Sequence, residues 1–488
     1  MDYTKKQLKA INHEGENILV SASAGSGKTG VLKARVIRKI KDGIDIDKLI
    51  VLTFTKAAAE EMKSRIINEL ELLKLDKQII KLDNAIISTF DAFTLRLVNE
   101  YHYLLNLPKD ISISDKVLID IESKQILENL IKEYYQENKP EFKNLVKLLF
   151  ASNDNFLETA ILTVANGLKK IPNYNNLINE YDHFFSDKFL REAHKEYIAY
   201  LRNDLVKIYQ KFISYFKENI SVYDIKCDEY LHQVKKTYEK LIDIKNDDEF
   251  IKNIKTISFP NKPRKPRDVD SYIEADPYKG LFKKLKTELE DNLITGYEFD
   301  KEKLLENKPR VKLILEMASI YLKRLNKVQK QKTLFSYDDI MSFAINLFEE
   351  YPDIKNKYIY DIEEILIDEY QDTNDLQDYF ISLISSDNIF MVGDVKQSIY
   401  RFRDANPKNF IRIFSDYEKT DLGKAIRLRE NFRSNKYLLD LINKLFMKVM
   451  SKSLGGVEYQ DNHQLVTGFN DEYGLNEKNK PLIEYYYD

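Results

Sequence analysis

The 488-residue chain has no tryptophan and a single cysteine, Cys227. One thiol excludes an internal disulfide framework, and the six scattered histidines show no metal-ligand spacing. No stretch of about 18 apolar residues occurs, which excludes a transmembrane helix and any membrane partnership through one. The start, MDYTKKQLKAI, lacks the apolar core of a signal peptide, so the expected compartment is the cytosol. An excess of one charge is missing too. With 76 Lys and Arg against 79 Asp and Glu, the net charge is −3, and a nucleic-acid partner has to be held by local basic surfaces. The absence of Trp beside abundant Lys, Ile, Asn and Tyr reads as an AT-rich coding bias rather than chemistry. What remains is 43% hydrophobic and 32% charged: a soluble chain long enough for about three or four domains at about 150 residues each.

Against this background one block stands out. Ala22-Ser-Ala-Gly-Ser-Gly-Lys-Thr29 directly follows the apolar run Ile18–Val20 and precedes a helical pattern in which Leu32, Val36 and Ile40 recur every four residues. Strand, glycine-rich turn and helix start make a phosphate-binding loop, formed here by Ala22, Ser23, Ala24, Gly25, Ser26, Gly27, Lys28 and Thr29. Its backbone N–H groups wrap the phosphates, Lys28 neutralises their charge, and the Thr29 hydroxyl can hold Mg²⁺. Gly25 and Gly27 let the backbone approach without a Cβ in the way. Ala22 stands where the usual pattern has Gly. The expected ligand is a nucleoside triphosphate.

Short apolar runs at Ile18–Val20, Leu49–Phe54, Ala85–Thr89, Ile365–Ile367 and Ile389–Val392 read as buried parallel strands, hence a doubly wound α/β domain. Residues 101–329 differ: they are rich in Lys, Glu and Tyr and mostly helical. Leu205, Ile208, Tyr209, Phe212, Ile213 and Phe216 there form a core stripe at helical spacing. The segment Phe259–Arg267 carries three prolines and excludes helix. Its Lys262, Arg264, Lys265 and Arg267 read as a solvated basic loop before they read as phosphate contacts. The organisation is therefore one α/β domain, residues 1–100 and 330–417, interrupted by an all-helical insertion and followed from residue 418 to 488 by an incomplete second element.

Three further blocks carry chemistry. Ile365-Leu-Ile-Asp-Glu-Tyr-Gln-Asp-Thr373 runs a strand out into two carboxylates at the sheet edge where α/β ligands bind. Asp368 is placed to hold Mg²⁺, and Glu369 to act as general base on the attacking water. In Val392–Arg403 the Gln397 amide can sense the γ-phosphate, and the Phe402 ring can stack on a base. In Leu428–Ser434, Arg433 can bring positive charge to the transition state.

In this order these blocks resemble the UvrD/Rep-type superfamily-1 helicases. Thr4–Ile11 resembles the adenine-reading Q motif, with Gln7 as reader. Leu52–Arg65, which contains Phe54 and Thr55, and Ser88–Phe93, which contains Thr89, resemble motifs that touch single-stranded DNA. Tyr400, Phe402 and Arg403 join them by the same resemblance, with Phe402 where UvrD-type enzymes usually carry Trp. Thr333–Ile340 resembles the aspartate-containing segment ahead of the Mg²⁺ motif, and Phe432 is implied to stack on the adenine. At the Asp91 position many relatives have a DNA-touching His, a contact not carried over because an acid repels phosphate. The closer resemblance is to the N-terminal part of the AddA (RexA) polypeptide of the ATP-dependent helicase/nucleases. It rests on the wording of Val20–Thr29 and on Phe90–Thr94 followed by Leu97–Leu105.

The resemblance implies a P-loop NTPase with a RecA-like parallel sheet, helices on both faces and a large helical insertion. It implies ATP and Mg²⁺ as cofactors and 3′–5′ helicase or translocase activity on single- and double-stranded DNA. Double-strand-break processing and recombinational repair, with an AddB/RexB-type second subunit, follow from it as well. Most of a second motor lobe and the nuclease domain are expected to be absent here. The amphipathic run Leu438, Leu439, Ile442, Leu445, Phe446 and Val449 is expected to expose a face that such a lobe covers. The alternative reading is a module that binds ATP and single-stranded DNA but needs a partner polypeptide for motor activity. An unrelated P-loop ATPase or GTPase is disfavoured by the Gln7 block and by the lack of an Asn-Lys-x-Asp guanine reader.

Overall fold

Six strands form one parallel sheet: β1 (Ile18–Ala22), β2 (Leu49–Thr53), β3 (Ile86–Thr89), β4 (Glu364–Ile367), β5 (Ile389–Gly393) and β6 (Lys424–Leu428). The computed structural model describes residues 3–149, 156–220, 225–264, 279–291, 296–451 and 459–468. The strand order is β3-β2-β4-β5-β1-β6, and every neighbouring pair is parallel. Period-2 alternation splits each strand between two cores. Ile18, Val20, Leu49, Val51, Leu366, Phe390 and Val392 face one side, where they meet α1 (Lys5–Asn12), α2 (Lys28–Lys41) and α3 (Lys56–Leu72). Leu19, Ile50, Leu52, Ile365, Ile367 and Met391 face the other, under the helices Phe90–Glu100, Tyr337–Glu350, Asp375–Ile384 and Pro407–Lys419. Each such fully buried side chain contributes about 1.5–3 kcal/mol relative to exposure. The expected α/β fold with helices on both faces is therefore present, and Leu32, Val36 and Ile40 all lie in the core under α2.

The sequence ended the sheet domain at residue 417, yet the edge strand β6 lies beyond it and pairs with β1 from Ile18↔Lys424 to Ala22↔Leu428. Only Ile426 and Leu428 of β6 are buried. Lys424 and Arg427 break the apolar run, so the segment does not read as a strand. After it, β7 (Glu430–Asn431) and β8 (Val466–Thr467) pair in a separate two-stranded sheet. The amphipathic helix does form, over Lys436–Val449. Leu438, Leu445 and Val449 are exposed as expected, but Leu439 is buried. The Asn443 side chain accepts from Tyr459 Oη (2.7 Å) and from Leu465 N (2.9 Å), so the 459–465 segment is tied to this helix.

The chain divides into two compact units, Met1–Asn129 with Asn166–Pro172 and Tyr321–Asp488, and Leu130–Ala165 with Asn173–Ile320. The second unit is helical throughout its described elements. Leu205, Ile208 and Phe212 from the helix Asp187–Asn219 enter its core with Cys227, Tyr238 and Phe250. Tyr209 and Phe216 pack at the rim of that core and Ile213 is half-buried. In the proline-rich segment Phe259 packs on Tyr238 and Phe282. Lys262 and Arg264 are exposed, while Lys265 and Arg267 lie outside the described residues.

Candidate active site

The carboxyl ends of β1, β4, β5 and β6 converge on one edge of the sheet, and the loops that follow β4, β5 and β6 each touch the loop that follows β1. From β1 the chain turns through Gly25 (φ +69°) and Gly27 (φ +81°) into α2. These conformations favour glycine, and the surroundings crowd a larger residue. A Cβ on Gly25 would lie 2.7 Å from Asn431 Nδ2, and one on Gly27 would lie 3.1 Å from Gln7 Nε2. The first turn of α2, beginning at Lys28, leaves its N–H groups without intrahelical partners, an anion-binding arrangement. Ser26 Oγ is buried and has no hydrogen-bond partner among the described residues. The Ala22 side chain is fully buried in the core, so only its backbone belongs to the loop. Gln7, buried at the third position of α1, closes a capping box with Thr4 and donates through Nε2 to Ser26 O at 2.9 Å. The candidate adenine reader thus sits directly on the loop.

From β4 come Asp368 and Glu369. Glu369 adopts a left-handed backbone (φ +51°), a conformation that costs a non-glycine residue free energy and concentrates at functional sites. It turns the carboxylate towards the loop, where Oε2 accepts from Lys28 Nζ at 2.7 Å. Lys28 Nζ also reaches Gln397 Oε1 at 3.5 Å. Lysine, glutamate and glutamine, separated by 341 and 369 positions in sequence, therefore form one cluster. Asp368 is buried beside it. Burial first, and the neighbouring Glu369 charge second, push its pKa up to about 6, against the opposing pull of Lys28. Its Oδ1 accepts from Glu369 N at 3.0 Å, and its own N–H donates to Leu52 O.

From β5 comes Asp394, which accepts from Gln397 Nε2 at 2.7 Å and pairs with Lys396 at 2.7 Å. Three residues past Gln397 the same loop carries Tyr400, whose ring stands 4.4 Å from Phe54 and 5.7 Å from Phe402. The Arg403 guanidinium lies 5.9 Å from the Phe54 ring centre and 5.8 Å from that of Tyr400. Four of the six candidate DNA residues thus form one aromatic ledge, on which Phe402 is 78% exposed. The other two stand at helix starts. Thr55 Oγ1 accepts from Ala58 N and caps α3, and Thr89 Oγ1 accepts from Ala92 N and caps the helix Phe90–Glu100.

From β6 the chain passes back over the loop. Ser23 N donates to Leu428 O, Asn431 Nδ2 to Ala24 O at 2.7 Å, and Phe432 N to Gly25 O at 2.9 Å. Asn431 Oδ1 in turn accepts from the N–H groups of Arg433 and Ser434, both at 2.8 Å. Phe432 and Arg433 are thereby set against the phosphate loop, with the Arg433 side chain exposed. The Asp339 carboxylate, in the segment ahead of the Mg²⁺ motif, accepts from Ser336, Gln329 and Lys169. Its role is helix capping, and it is not part of this edge.

Sequence reasoning passed over three residues that hold the site together. Gln371, 1% exposed, donates through Nε2 to Glu369 (2.9 Å) and Asp372 (3.0 Å) and accepts Asp394 N at Oε1 (2.9 Å). A Cβ on Gly393 would fall 2.3 Å from that Oε1, which explains the glycine. Asp394 and Asn431 are the other two, and their signal is burial, which composition does not show. Among the described residues no three His, Cys, Asp or Glu side chains are grouped to hold a metal ion. Mg²⁺ bound with a nucleotide needs only one or two protein oxygens, the rest being phosphate and water. The buried Asp368 carboxylate, and Thr29 in the first turn of α2, suit that requirement.

Comparison with known proteins agrees with this geometry. The family model described as the UvrD/REP helicase N-terminal domain matches residues 3–418. The chain is 30% identical to the A subunit of the ATP-dependent helicase/nuclease of Lactobacillus johnsonii over 520 residues, covering 96% of this chain and 41% of that protein. It is 33% identical over 506 residues to the protein so named in Streptococcus pyogenes, covering 95% and 40%. With that of Clostridium beijerinckii it is 30% identical over 507 residues, covering 96% and 41%. The chain spans about two fifths of the length of these curated relatives. None of its described helices is long and apolar enough to cross a membrane.

Proposed function

The chain belongs to the UvrD/Rep helicase family, and from that premise we propose that it is the ATP-binding part of a 3′–5′ DNA helicase or translocase that hydrolyses ATP to move along single-stranded DNA. Its substrates are then ATP and DNA, and its setting is double-strand-break processing and recombinational repair beside an AddB/RexB-type subunit. Residues beyond β6 are read as the start of a second motor lobe. The observation that carries the proposal is the Lys28–Glu369–Gln397 cluster at the mouth of the phosphate loop.

In the proposed cycle Lys28 exchanges the Glu369 carboxylate for β- and γ-phosphate oxygens. That exchange frees Glu369, which then takes a proton from water as the water oxygen bonds to the γ-phosphorus and the bond to the bridging oxygen of ADP breaks. Mg²⁺, held by Thr29 and Asp368, would supply charge neutralisation on the phosphates. Gln7 and Phe432 hold the adenine, while Gln397 and Arg433 face the γ-phosphate. Gln397 and Tyr400 share one short loop, so a shift at the γ-phosphate is transmitted to the aromatic ledge that carries DNA. Polarity is tested by displacement of streptavidin from oligonucleotides biotinylated at one end. ATP-dependent displacement from the 5′ end alone supports 3′–5′ movement, and displacement from the 3′ end alone contradicts it.

A second reading, an ATP- and DNA-binding module completed by another polypeptide, is favoured by one observation. Leu438, Leu445, Met447 and Val449 are exposed along a single helix, and apolar groups of that size gather at interaction surfaces. Binding of ATP and DNA without displacement from either end supports it.

A further inference from the structure

Arg35 is the largest fully buried side chain among the described residues, at 1% exposure. It leaves the second turn of α2 and grips Glu364, the first residue of β4, as a fork. Nε donates to both carboxylate oxygens at 3.1 and 2.9 Å, and Nη2 donates to Oε1 at 2.5 Å. Its remaining edge points elsewhere. Nη1 donates to Ala10 O at 2.8 Å and to Ile11 O at 3.1 Å. These carbonyls belong to the last turn of α1, where no intrahelical N–H reaches them. The guanidinium also lies 4.6 Å from the centre of the Phe390 ring.

Helix α1 has eight residues, too few to hold a helix by local propensity. Its position is set by tertiary clamps, two of them polar among the described residues. Gln7 ties it to Ser26 O in the phosphate loop, and Arg35 ties its carboxyl end to α2. Glu364 then fixes Arg35 to the strand that carries Asp368 four residues later. An ion pair buried this deeply costs several kcal/mol per ion in desolvation, and apolar side chains of similar volume often stabilise as well or better. What an apolar pair lacks is the fork that caps α1 in a fixed direction.

We propose that Arg35, held by Glu364, is a positioning residue for nucleotide-base selection: it sets α1 so that Gln7 stands against the phosphate loop where the base is read. The proposal rests on Gln7 being the adenine reader. It makes Arg35 a determinant of which nucleotide binds, although its guanidinium is buried and engaged by Glu364, Ala10 and Ile11.

The test uses the whole 488-residue chain and measures dissociation constants for fluorescent N-methylanthraniloyl ATP and GTP, with a melting temperature for every variant. Gln7→Ala is expected to lose most of the preference for ATP. The double variant Arg35→Met/Glu364→Met is expected to melt close to the wild type yet lose preference by about fivefold or more, the worth of one misplaced hydrogen bond. Arg35→Lys, which keeps the charge without the fork, is expected to lose preference by less. A folded double variant with undiminished preference, or with both nucleotides weakened equally, overturns the role of Arg35. If the double variant does not fold, Arg35→Lys carries the test: a reduced ATP/GTP ratio supports the role and an unchanged ratio overturns it. Unchanged preference in Gln7→Ala overturns the adenine-reader reading, and the inference falls with it.

Discussion

Glu369 and Phe402 lie on neighbouring loops at one edge of the sheet, yet they are held in opposite ways. Glu369 is forced into a left-handed backbone, hydrogen-bonded by Gln371 and ion-paired with Lys28. Phe402 stands 78% exposed and leans on Tyr400. The first arrangement suits a reaction whose transition state needs charges fixed in advance. The second suits a ligand recognised by stacking, which every base offers and which tolerates sequence. One edge therefore combines a stiff polar centre, where small changes should be severe, with an open aromatic ledge, where they should be graded.

Substitutions at the stiff centre should have the largest effects. Lys28→Ala is expected to abolish nucleotide binding or turnover, and Glu369→Gln to leave binding intact while lowering turnover by about 10²–10⁴-fold, the usual worth of a general base. Isothermal titration beside a phosphate-release assay separates the two. Normal turnover in Glu369→Gln would remove it as the base and erase the contrast with the ledge.

Asp368 gives the next largest effect, and with the opposite sign. Its folded pKa of about 6 exceeds the ordinary 3.8, so the folded chain holds the proton more tightly than the unfolded one. Above pH 6 both states are ionised and the folded state bears the full desolvation cost. As pH falls from about 6 to about 4 that cost disappears. In Mg²⁺-free buffer Asp368→Asn is therefore expected to be more stable than the wild type at pH 7.5, by about 3 kcal/mol at most. The gain should fade on acidification, as read by denaturant melts across pH. A gain that does not change with pH would show that the carboxylate is not the source.

On the ledge the effects should be smaller and should spare nucleotide. Phe402→Ala is expected to weaken single-stranded DNA binding by about 1–3 kcal/mol, with ATP affinity unchanged, in fluorescence anisotropy. Equal DNA affinity would remove the stacking role. Smallest of all, Thr55→Ala and Thr89→Ala are expected to lower stability by about 1 kcal/mol each through lost helix caps. A selective loss of DNA affinity at unchanged stability would instead return them to the DNA contact surface that the sequence suggested.

The same contrast explains what could be read in advance. The phosphate loop is legible because close approach demands glycine at fixed spacing, and β4 and β5 because strands buried on both faces are continuously apolar. β6 was not legible, since Lys424 and Arg427 interrupt its apolar residues, and the partners of Arg427, Glu418 and the Phe414 ring, meet it only in the fold. Arg35 reads as a solvated charge on an amphipathic helix, because its partner Glu364 is 329 positions away. Gln371, Asp394 and Asn431 escaped for a related reason. A buried amide or carboxylate is defined by the partners that satisfy it, and for Gln371 and Asn431 one of those comes from another loop. On the ledge, Phe54, Tyr400, Phe402 and Arg403 were named by resemblance, and the two threonines named with them also cap helices.

Whether the two regions communicate is the central claim, and ATP hydrolysis by residues 1–488 with and without single-stranded DNA, beside Glu369→Gln and Phe402→Ala, tests it most directly. The account predicts turnover that DNA stimulates, that Glu369→Gln lowers by about 10²–10⁴-fold, and whose DNA half-saturation concentration rises in Phe402→Ala. Turnover indifferent to DNA in the wild type would contradict it, leaving an ATPase centre and an aromatic ledge that share an edge without sharing a function.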